Sequence, residues 1–423
     1  MYFKKGRTNV VILILLSYIV FLAVSTNVFA SPININDETN NELKLEEDFT
    51  SLPAEINVLL ETLLKDKSFS VPEWIIPGLR VYYSVGIKNI DTNVLDSSSP
   101  LIRLDNMEES GPIILRNDIT SVSTNSVSTF STIFVGDRLI PWEESSTKTS
   151  VYAGPFWLNS NLIDIISNTL ATIKIEHIGF DINGNFFDAV KIDYKDNSDS
   201  NSKYYTWIFD KNTGLMLYLS KASKNEATDK FEVSIAEFLD MRYLQIPWAG
   251  SALPSYFKKG STFNYSGSIN NWVPTNGINP PALAVLVATV EEFGNEWANL
   301  TMNRAISSDE FIYSGSVIWG SSTLTGGFWI PSDHLKKMNI GDTLDDFDSI
   351  TMSSVKVSKI ETTSDMSDTI VTITEYGKNY NRDWSYRVSD GLLVSWNMYR
   401  IVDPIKGSIQ QVNWQLNSSE IKK

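Results

Sequence analysis

The stretch Gly154-Pro155-Phe156-Trp157-Leu158 decides the fold, because it recurs 172 residues later as Gly326-Gly327-Phe328-Trp329-Ile330. Similarity at such a long period indicates duplicated structural units. A serine follows each copy after one intervening residue, with a leucine two or three residues further on, which predicts a short helix whose N-cap is Ser160 in the first copy and Ser332 in the second. We interpret the motif as the point where a helix is anchored to a sheet.

Two further landmarks keep the same order on either side of this motif. Gly78 and Gly260 each precede a strand-like run with tyrosine, at an offset of 182 residues, and Gly214 and Gly391 each form a turn, at an offset of 177. Because the three offsets differ only by small insertions, the sequence predicts two similar tandem domains, residues 71–243 and 246–418. The predicted anchors of the repeat are Phe156, Trp157, Gly214, Phe328, Trp329 and Gly391.

The runs around the glycine turns alternate apolar and polar residues. Tyr205, Trp207 and Phe209 are separated by single residues, as are Trp384 and Tyr386 in the second half. Alternation with short turns is typical of antiparallel strands, and Asn183-Gly184 between two such runs predicts a hairpin. The predicted fold class is α+β, mainly antiparallel β: two tandem similar domains, each a curved antiparallel sheet with one short helix.

The first seventy residues predict an exported chain. Lys4, Lys5 and Arg7 precede an apolar run that ends before Ala30, which is the layout of a signal peptide over residues 1–30. Retention of this run as a membrane anchor is the alternative, and it would be the chain's only membrane contact. Residues 31–50 read as an acidic linker, and 51–70 as an amphipathic helix. The expected location is extracytoplasmic, secreted or at the cell surface.

Charge and cysteine content exclude several classes of function. The formal net charge is −15, and loss of the three basic residues of the signal peptide would make it −18. Binding to nucleic acid requires clustered lysine and arginine, so we expect no nucleic-acid partner. The chain contains no cysteine, which excludes disulfides and thiolate metal sites.

Acidic residues supply the candidate metal and catalytic groups. Two oxygen-rich loops would suit Ca²⁺, the only cofactor the sequence suggests. A glycosidase would need two facing carboxylates, and the candidates are Glu143-Glu144, Glu291-Glu292 and Asp345-Asp346 with Asp348. The sequence does not show which two face each other, and no nucleophile motif is present. The candidate Ca²⁺ ligands are Asp193, Asp196, Asp199, Asp342, Asp345 and Asp346.

Aromatic residues, including 12 tryptophans, suggest ligand binding. Trp142, Trp272 and Trp297 lie outside the repeat landmarks, so we predict that they contact ligand. The leading hypothesis is an exported, non-catalytic binding protein for an apolar or amphipathic cell-envelope ligand, either lipid or glycan. The alternatives are an extracellular hydrolase with a carboxylate pair and a structural or adhesion module of the cell surface.

Overall fold

The computed structural model of the protein consists almost entirely of antiparallel strands. The predicted signal peptide, the acidic linker and nearly all of the predicted amphipathic helix lie outside the residues that it describes. None of the helices in the described part of the chain is long and apolar enough to cross a membrane. The described residues are 69–91, 112–136, 139–163, 165, 173–196, 203–225, 230–273, 277–278, 281–306, 312–325, 327–364, 366–403 and 407–420.

The first half of the chain forms a nine-stranded sheet with the order β4-β3-β2-β1-β11-β10-β9-β8-β7 in the described residues. A separate two-stranded pair, β5-β6, carries the first Phe-Trp motif. The strands are β1 (Leu79–Asp91), β2 (Ile113–Val122), β3 (Ser126–Val135), β4 (Ile140–Ser150), β5 (Ala153–Gly154), β6 (Trp157–Leu158), β7 (Ile173–Ile182), β8 (Asn185–Asp196), β9 (Lys203–Asp210), β10 (Met216–Asn225) and β11 (Lys230–Tyr243).

The second half forms an eleven-stranded sheet with the order β16-β15-β14-β12-β22-β21-β20-β19-β18-β17, in which β13 pairs with β12. Apart from β13 and β17, this order matches that of the first sheet strand for strand. The strands are β12 (Thr262–Val273), β13 (Gly277–Ile278), β14 (Ala282–Phe293), β15 (Trp297–Ile306), β16 (Ile312–Gly320), β17 (Thr343–Asp348), β18 (Ser353–Thr362), β19 (Thr369–Gly377), β20 (Tyr380–Arg387), β21 (Leu393–Asp403) and β22 (Ser408–Glu420).

The antiparallel part of the predicted fold class is confirmed, whereas α+β overstates the helix content. Helix in the described residues amounts to a 3-10 turn (Ser160–Leu162), the α-helical residues Ile163 and Ile165 directly after it, and the one-turn α1 (Ser332–Leu335). Residues 166–172, where the first predicted helix would continue, lie outside the described set. The predicted caps are wrong: Asn159 and Pro331 are the N-caps, because the chain enters each turn one residue earlier. The predicted hairpin is confirmed, with Asn183 and Gly184 at positive φ between β7 and β8.

The Phe-Trp motif makes the same contacts in both halves. The Leu158 amide donates to the Gly214 carbonyl at 2.9 Å, and the Ile330 amide donates to the Gly391 carbonyl at 2.9 Å. Trp157 and Trp329 form bridges to the residues that follow these glycines, and Phe156, Trp157, Phe328 and Trp329 are all buried. These equivalent contacts and the shared strand order support the proposal of two tandem units.

Gly391 gives a direct test of this anchoring. It has φ +77°, and a Cβ there would lie 2.0 Å from the Ile330 carbonyl oxygen. Gly184 has φ +79° but has nothing within 4 Å of the added atom. We therefore expect Gly184→Ala to cost about 1–2 kcal/mol from the left-handed backbone alone. Gly391→Ala should cost clearly more in urea unfolding, and equal losses would mean that the close approach of the motif is not needed.

Each sheet has its own apolar cluster, and the first sheet also contributes to the core of the second. Phe130 on β3 lies in the core of the second sheet, with its ring 4.7 Å from that of Trp319. Phe134, also on β3, lies 6.2 Å from Tyr380. The two sheets therefore pack through a continuous buried contact and share part of their interior.

Candidate functional site

A field of polar side chains covers the outer face of the second sheet, opposite its apolar cluster. Strand alternation produces it: in β21, Trp396 and Met398 are buried, while Ser395 and Asn397 point the other way. Cross-strand pairing aligns their neighbours on the same face. We call this surface the polar field; its residues are Lys359, Thr372, Thr374, Asp383, Ser385, Ser395, Asn397, Asn413 and Gln415.

Three tryptophans support the polar field from behind. Trp384 pairs with Trp396, and Trp396 pairs with Trp414, so one row of indoles crosses three adjacent strands on the inner face. Each of the three side chains is at most 3% exposed. A binding surface on packed strands holds its groups more rigidly than one on loops, so this row gives the polar field a stiff support.

Seven of the nine residues of the polar field line an open groove of about 730 Å³; the exceptions are Thr374 and Asn413. Hydroxyl, amide and charged groups make up most of its lining, and Ile370, Val394 and Leu416 are its apolar members. A smaller groove of about 490 Å³ continues from it, since Thr363, Ser364 and Arg387 line both. The combined trench has room for a chain-like polar ligand.

Hydrogen bonds within the trench order its side chains. The Thr374 hydroxyl donates to Asp383 at 2.6 Å, and Thr372 and Ser385 share a hydrogen bond of 2.9 Å. Arg387 donates to both oxygens of Asp390 at 3.1 and 2.6 Å, and this hydrogen bonding raises the pKa of Arg387. These groups are held in position before any ligand arrives, which reduces the entropy lost on binding.

Charge in the larger groove is balanced. Lys359 and Arg387 are its cations, Glu361 and Asp383 are its anions, and Lys359 pairs with Glu361 at 2.6 Å. In the smaller groove, burial works against ionisation of Asp368, but hydrogen bonds from Ser389 and the Thr369 amide lower its pKa overall. A lining without excess charge favours an uncharged ligand over a strongly ionic one.

The three predicted ligand-contacting tryptophans have different surroundings. Trp142 lies under Arg400, whose guanidinium carbon is 5.0 Å from the ring centroid. Trp297 lies under Lys148, with the ammonium 4.0 Å from the ring centroid. In both pairs the cation belongs to the opposite sheet, so these rings contribute to packing between the sheets. Trp272 is 37% exposed on the outer face.

The described members of the predicted Ca²⁺ ligand set do not form a group that could hold an ion. Asp193 pairs with Lys191 at 2.8 Å, Asp342 accepts from the Asn339 amide, and Asp346 is exposed. Asp345 accepts from Arg242 at 2.6 Å, which occupies the oxygens that a metal would need. Asp199 and the side chain of Asp196 lie outside the described residues. Within the described residues, no group of three or more metal-ligating side chains could hold an ion.

Carboxylates meet arginines where the two sheets pack. Asp345 and Asp348 of the second sheet accept from Arg80 of the first, each at 3.3 Å, and Arg80 also forks onto Asp118. Glu375 accepts from Arg116 across the contact at 2.9 Å. We call this set the inter-sheet ion cluster; its charged members are Arg80, Arg116, Asp118, Glu144, Arg242, Asp345, Asp348, Glu375, Arg382 and Arg400.

Asp348 is poorly suited to act as the acid of a hydrolase. Burial works against ionisation of Asp348, but the charges of Arg80 and Arg116 and the hydrogen bond from Tyr82 outweigh it and lower the pKa to about 2. A glycosidase needs a carboxylic acid whose pKa is raised so that it can donate a proton. Asp348 is 2% exposed and is held ionised, so its chemistry fits a structural ion pair.

Comparison with known proteins gives little further information. No family model matches the chain, and no curated protein matches it either. One similar solved structure is a protein of unknown function from the DUF3598 family of Nostoc punctiforme, with 9% identity, a TM-score of 0.17, and coverage of 80% of this chain and 96% of that one. Another is MucB in complex with MucA(peri), with 9% identity, a TM-score of 0.20, and coverage of 82% and 93%. Likeness at this level carries no argument about function.

Sequence reasoning did not identify the polar field. Its residues come from five strands between Ser353 and Glu420, and only their alternation with buried aromatics signals them. In Ser395-Trp396-Asn397-Met398-Tyr399 every second residue is hydrogen-bonding or aromatic and points outward. The outward-facing residues of such alternating strands therefore indicate a surface of this kind, just as the inward-facing residues indicate the core.

Proposed function

We propose that the protein is an exported, non-catalytic binding protein for a glycan, which it holds in the trench on the outer face of the second sheet. The observation that carries this proposal is the polar field itself, a rigid, charge-balanced lattice of hydroxyl, amide and carboxylate groups on the floor of the groove. A sugar presents hydroxyl groups that both donate and accept, as these side chains do.

A lipid fits the described structure less well. An acyl chain needs an apolar cavity, and the two described grooves are lined mainly by polar residues. In the described residues the inner faces of both sheets carry clusters of buried side chains, including Phe156 and Trp157 in the first sheet and Phe328 and Trp329 in the second. Of the two ligand classes that the sequence suggests, the trench favours the glycan.

Asn397 is the most informative position for testing this proposal. It lies between Asp383 and Asn413 on the floor of the groove. Each hydrogen bond to a sugar contributes about 0.5–1.5 kcal/mol, so Asn397→Ala should weaken glycan binding roughly 2- to 12-fold. The measurement is calorimetric titration of the mature chain with soluble cell-wall oligosaccharides, after a glycan array has identified those that bind.

Ser220 provides the matched control. It occupies the corresponding place on β10 of the first sheet, opposite Thr206, as Asn397 lies opposite Asp383. Ser220→Ala should leave glycan affinity unchanged. A wild-type chain that binds no glycan on the array, or an Asn397→Ala variant that binds as tightly as the wild type, would contradict the proposal. Lipid found with the purified chain by native mass spectrometry would favour the lipid alternative instead.

A further inference from the structure

Three aromatic side chains stand out from the outer face of the second sheet along one border of the polar field. Tyr376 on β19 and Tyr399 on β21 are each 41% exposed, and Trp272 on β12 is 37% exposed. Large aromatics with this much free surface contrast with the many buried ones in this protein. We call these three residues the aromatic rail.

Strand register fixes the spacing of the rail. Tyr376 pairs with Asn381, and Asn381 pairs with Tyr399, so two inter-strand steps separate the tyrosines. Tyr399 pairs with Gln411, which pairs with Asn270, two residues before Trp272. Adjacent strands lie about 4.8 Å apart, which places successive rail residues about 10–12 Å apart. The rail therefore runs across the strands with a nearly regular step.

The rail borders the polar field. Tyr399 follows Asn397 on the same face of β21, one alternation step of about 7 Å away. Beside Trp272, Ile409 and Ile401 form a cross-strand row on that face, and both are partly buried. A ligand on the polar field would thus reach the rail without leaving the surface.

The pattern argues against a protein or membrane partner. Polar residues separate the rings, with Asn381 between the two tyrosines and Gln411 and Asn270 between Tyr399 and Trp272. A protein interface core is a contiguous, desolvated apolar patch. Rings at intervals, with hydrogen-bonding groups between them and the partly buried Ile401 and Ile409 beside Trp272, suit a ligand that itself alternates between apolar and polar contacts.

An extended sugar chain has this property. The C–H face of a pyranose ring packs on an aromatic face, while its hydroxyl groups project at the edges, where amides and hydroxyls can bind them. In a straight β-linked chain every second sugar presents the same face, and the rail step is close to the length of one disaccharide. The balanced charge of the larger groove requires no charge on the chain.

We propose that the aromatic rail and the polar field together bind an uncharged, extended β-linked glycan that lies across the strands, with alternate sugars stacked on Tyr376, Tyr399 and Trp272. This inference rests on the glycan-binding function proposed above. It adds the class of glycan, the direction of the chain and a minimum length, because the rail can be filled only by an oligomer of about five units or more.

The test uses the mature full chain and two probe series, cello-oligosaccharides and chito-oligosaccharides of two to six units, in calorimetric titration. Affinity for at least one series should rise steeply with length as the chain spans a second and then a third ring. Trp272→Ala and Tyr399→Ala should each weaken hexamer binding about tenfold, the loss of one stacking contact. Dimer binding should change little, because a dimer needs only one ring.

Controls separate stacking from folding. Trp272→Phe keeps a ring and should retain most of the hexamer affinity, and near-ultraviolet circular dichroism checks that each variant is folded. Phe186→Ala removes a 77% exposed aromatic from the hairpin tip of the first sheet and should have no effect.

Two outcomes overturn the rail proposal while leaving the proposed function intact. One is glycan binding that depends on Asn397 but not on the rail residues, and the other is affinity that does not change with chain length. Absence of binding to any glycan overturns both proposals together.

Discussion

Replacing Glu375 by alanine is expected to lower the free energy of unfolding by about 3–5 kcal/mol. The Glu375 carboxylate accepts from Arg116 of the first sheet at 2.9 Å and from Arg382 at 3.0 and 2.5 Å, and all three side chains are 1% exposed. Arginine does not give up its proton in a folded protein. The substitution would therefore leave the Arg116 and Arg382 guanidinium groups charged and buried without the Glu375 carboxylate. Urea unfolding followed by tryptophan fluorescence measures the loss of stability.

Glu361→Ala is the matched control, because it also removes a glutamate from an ion pair, here with Lys359 on the surface. Both partners are more than half exposed, so the change should stay within about 0.5 kcal/mol. Glu375→Gln keeps the shape and an acceptor, and should fall between wild type and Glu375→Ala. If Glu375→Ala unfolds at the urea concentration of the wild type, the inter-sheet ion cluster does not hold the sheets together.

Local features of the fold could be read from the sequence. The turn at Asn183-Gly184 and the alternation in Tyr205-Thr206-Trp207 depend on neighbouring residues only, and they correctly indicated antiparallel strands. The helix content was overestimated for the same reason. A serine followed by apolar residues predicts a helix, yet one turn at Ser332–Leu335 already buries Leu335, and the chain then leaves for β17.

Contacts between the two sheets could not be predicted from local sequence patterns. Trp142 has loop-like neighbours in sequence, but its partner Arg400 lies 258 residues away. Asp345 sits in an acidic run that resembles a cation loop, yet Arg80 and Arg242 reach it from the first sheet. Because a single sequence does not record these pairings, a buried counter-ion and a solvated or metal-binding carboxylate look alike.

The candidate site was missed for a related reason. Its residues are common polar types, mainly serine, threonine and asparagine, and they become a site only when five strands align them on one face. Trp272 is predicted to contact ligand because it lies outside the repeat landmarks, whereas nothing in the sequence distinguishes Tyr376 and Tyr399 from other strand aromatics. Their shared row depends on the register of β19, β20 and β21, which sequence periodicity does not determine.

Acid should weaken the contact between the sheets through Asp348. Its Oδ2 accepts from the Tyr82 hydroxyl at 2.5 Å and lies 3.3 Å from Arg80, while its Oδ1 accepts from the Ile350 and Thr351 amides. Burial alone would raise the pKa of Asp348, but Arg80, Arg116 and these hydrogen bonds lower it from 3.8 to about 2. Folding thus favours the ionised form, which binds fewer protons than the unfolded chain does.

When folding lowers the pKa of a group, the resulting stabilisation is fully present above the pKa of that group in the unfolded chain. It is lost as the pH falls through the pKa of the group in the folded protein. For Asp348 the window runs from about pH 4 down to about pH 2, and the loss is about 2 kcal/mol. Asp348→Asn should be less stable at pH 6, and its free energy of unfolding should fall less between pH 4 and pH 2. Asp346→Asn, which changes an exposed carboxylate on the same strand, should keep the wild-type slope. Equal slopes in all three proteins, measured by urea unfolding at each pH, would show that the acid sensitivity lies elsewhere.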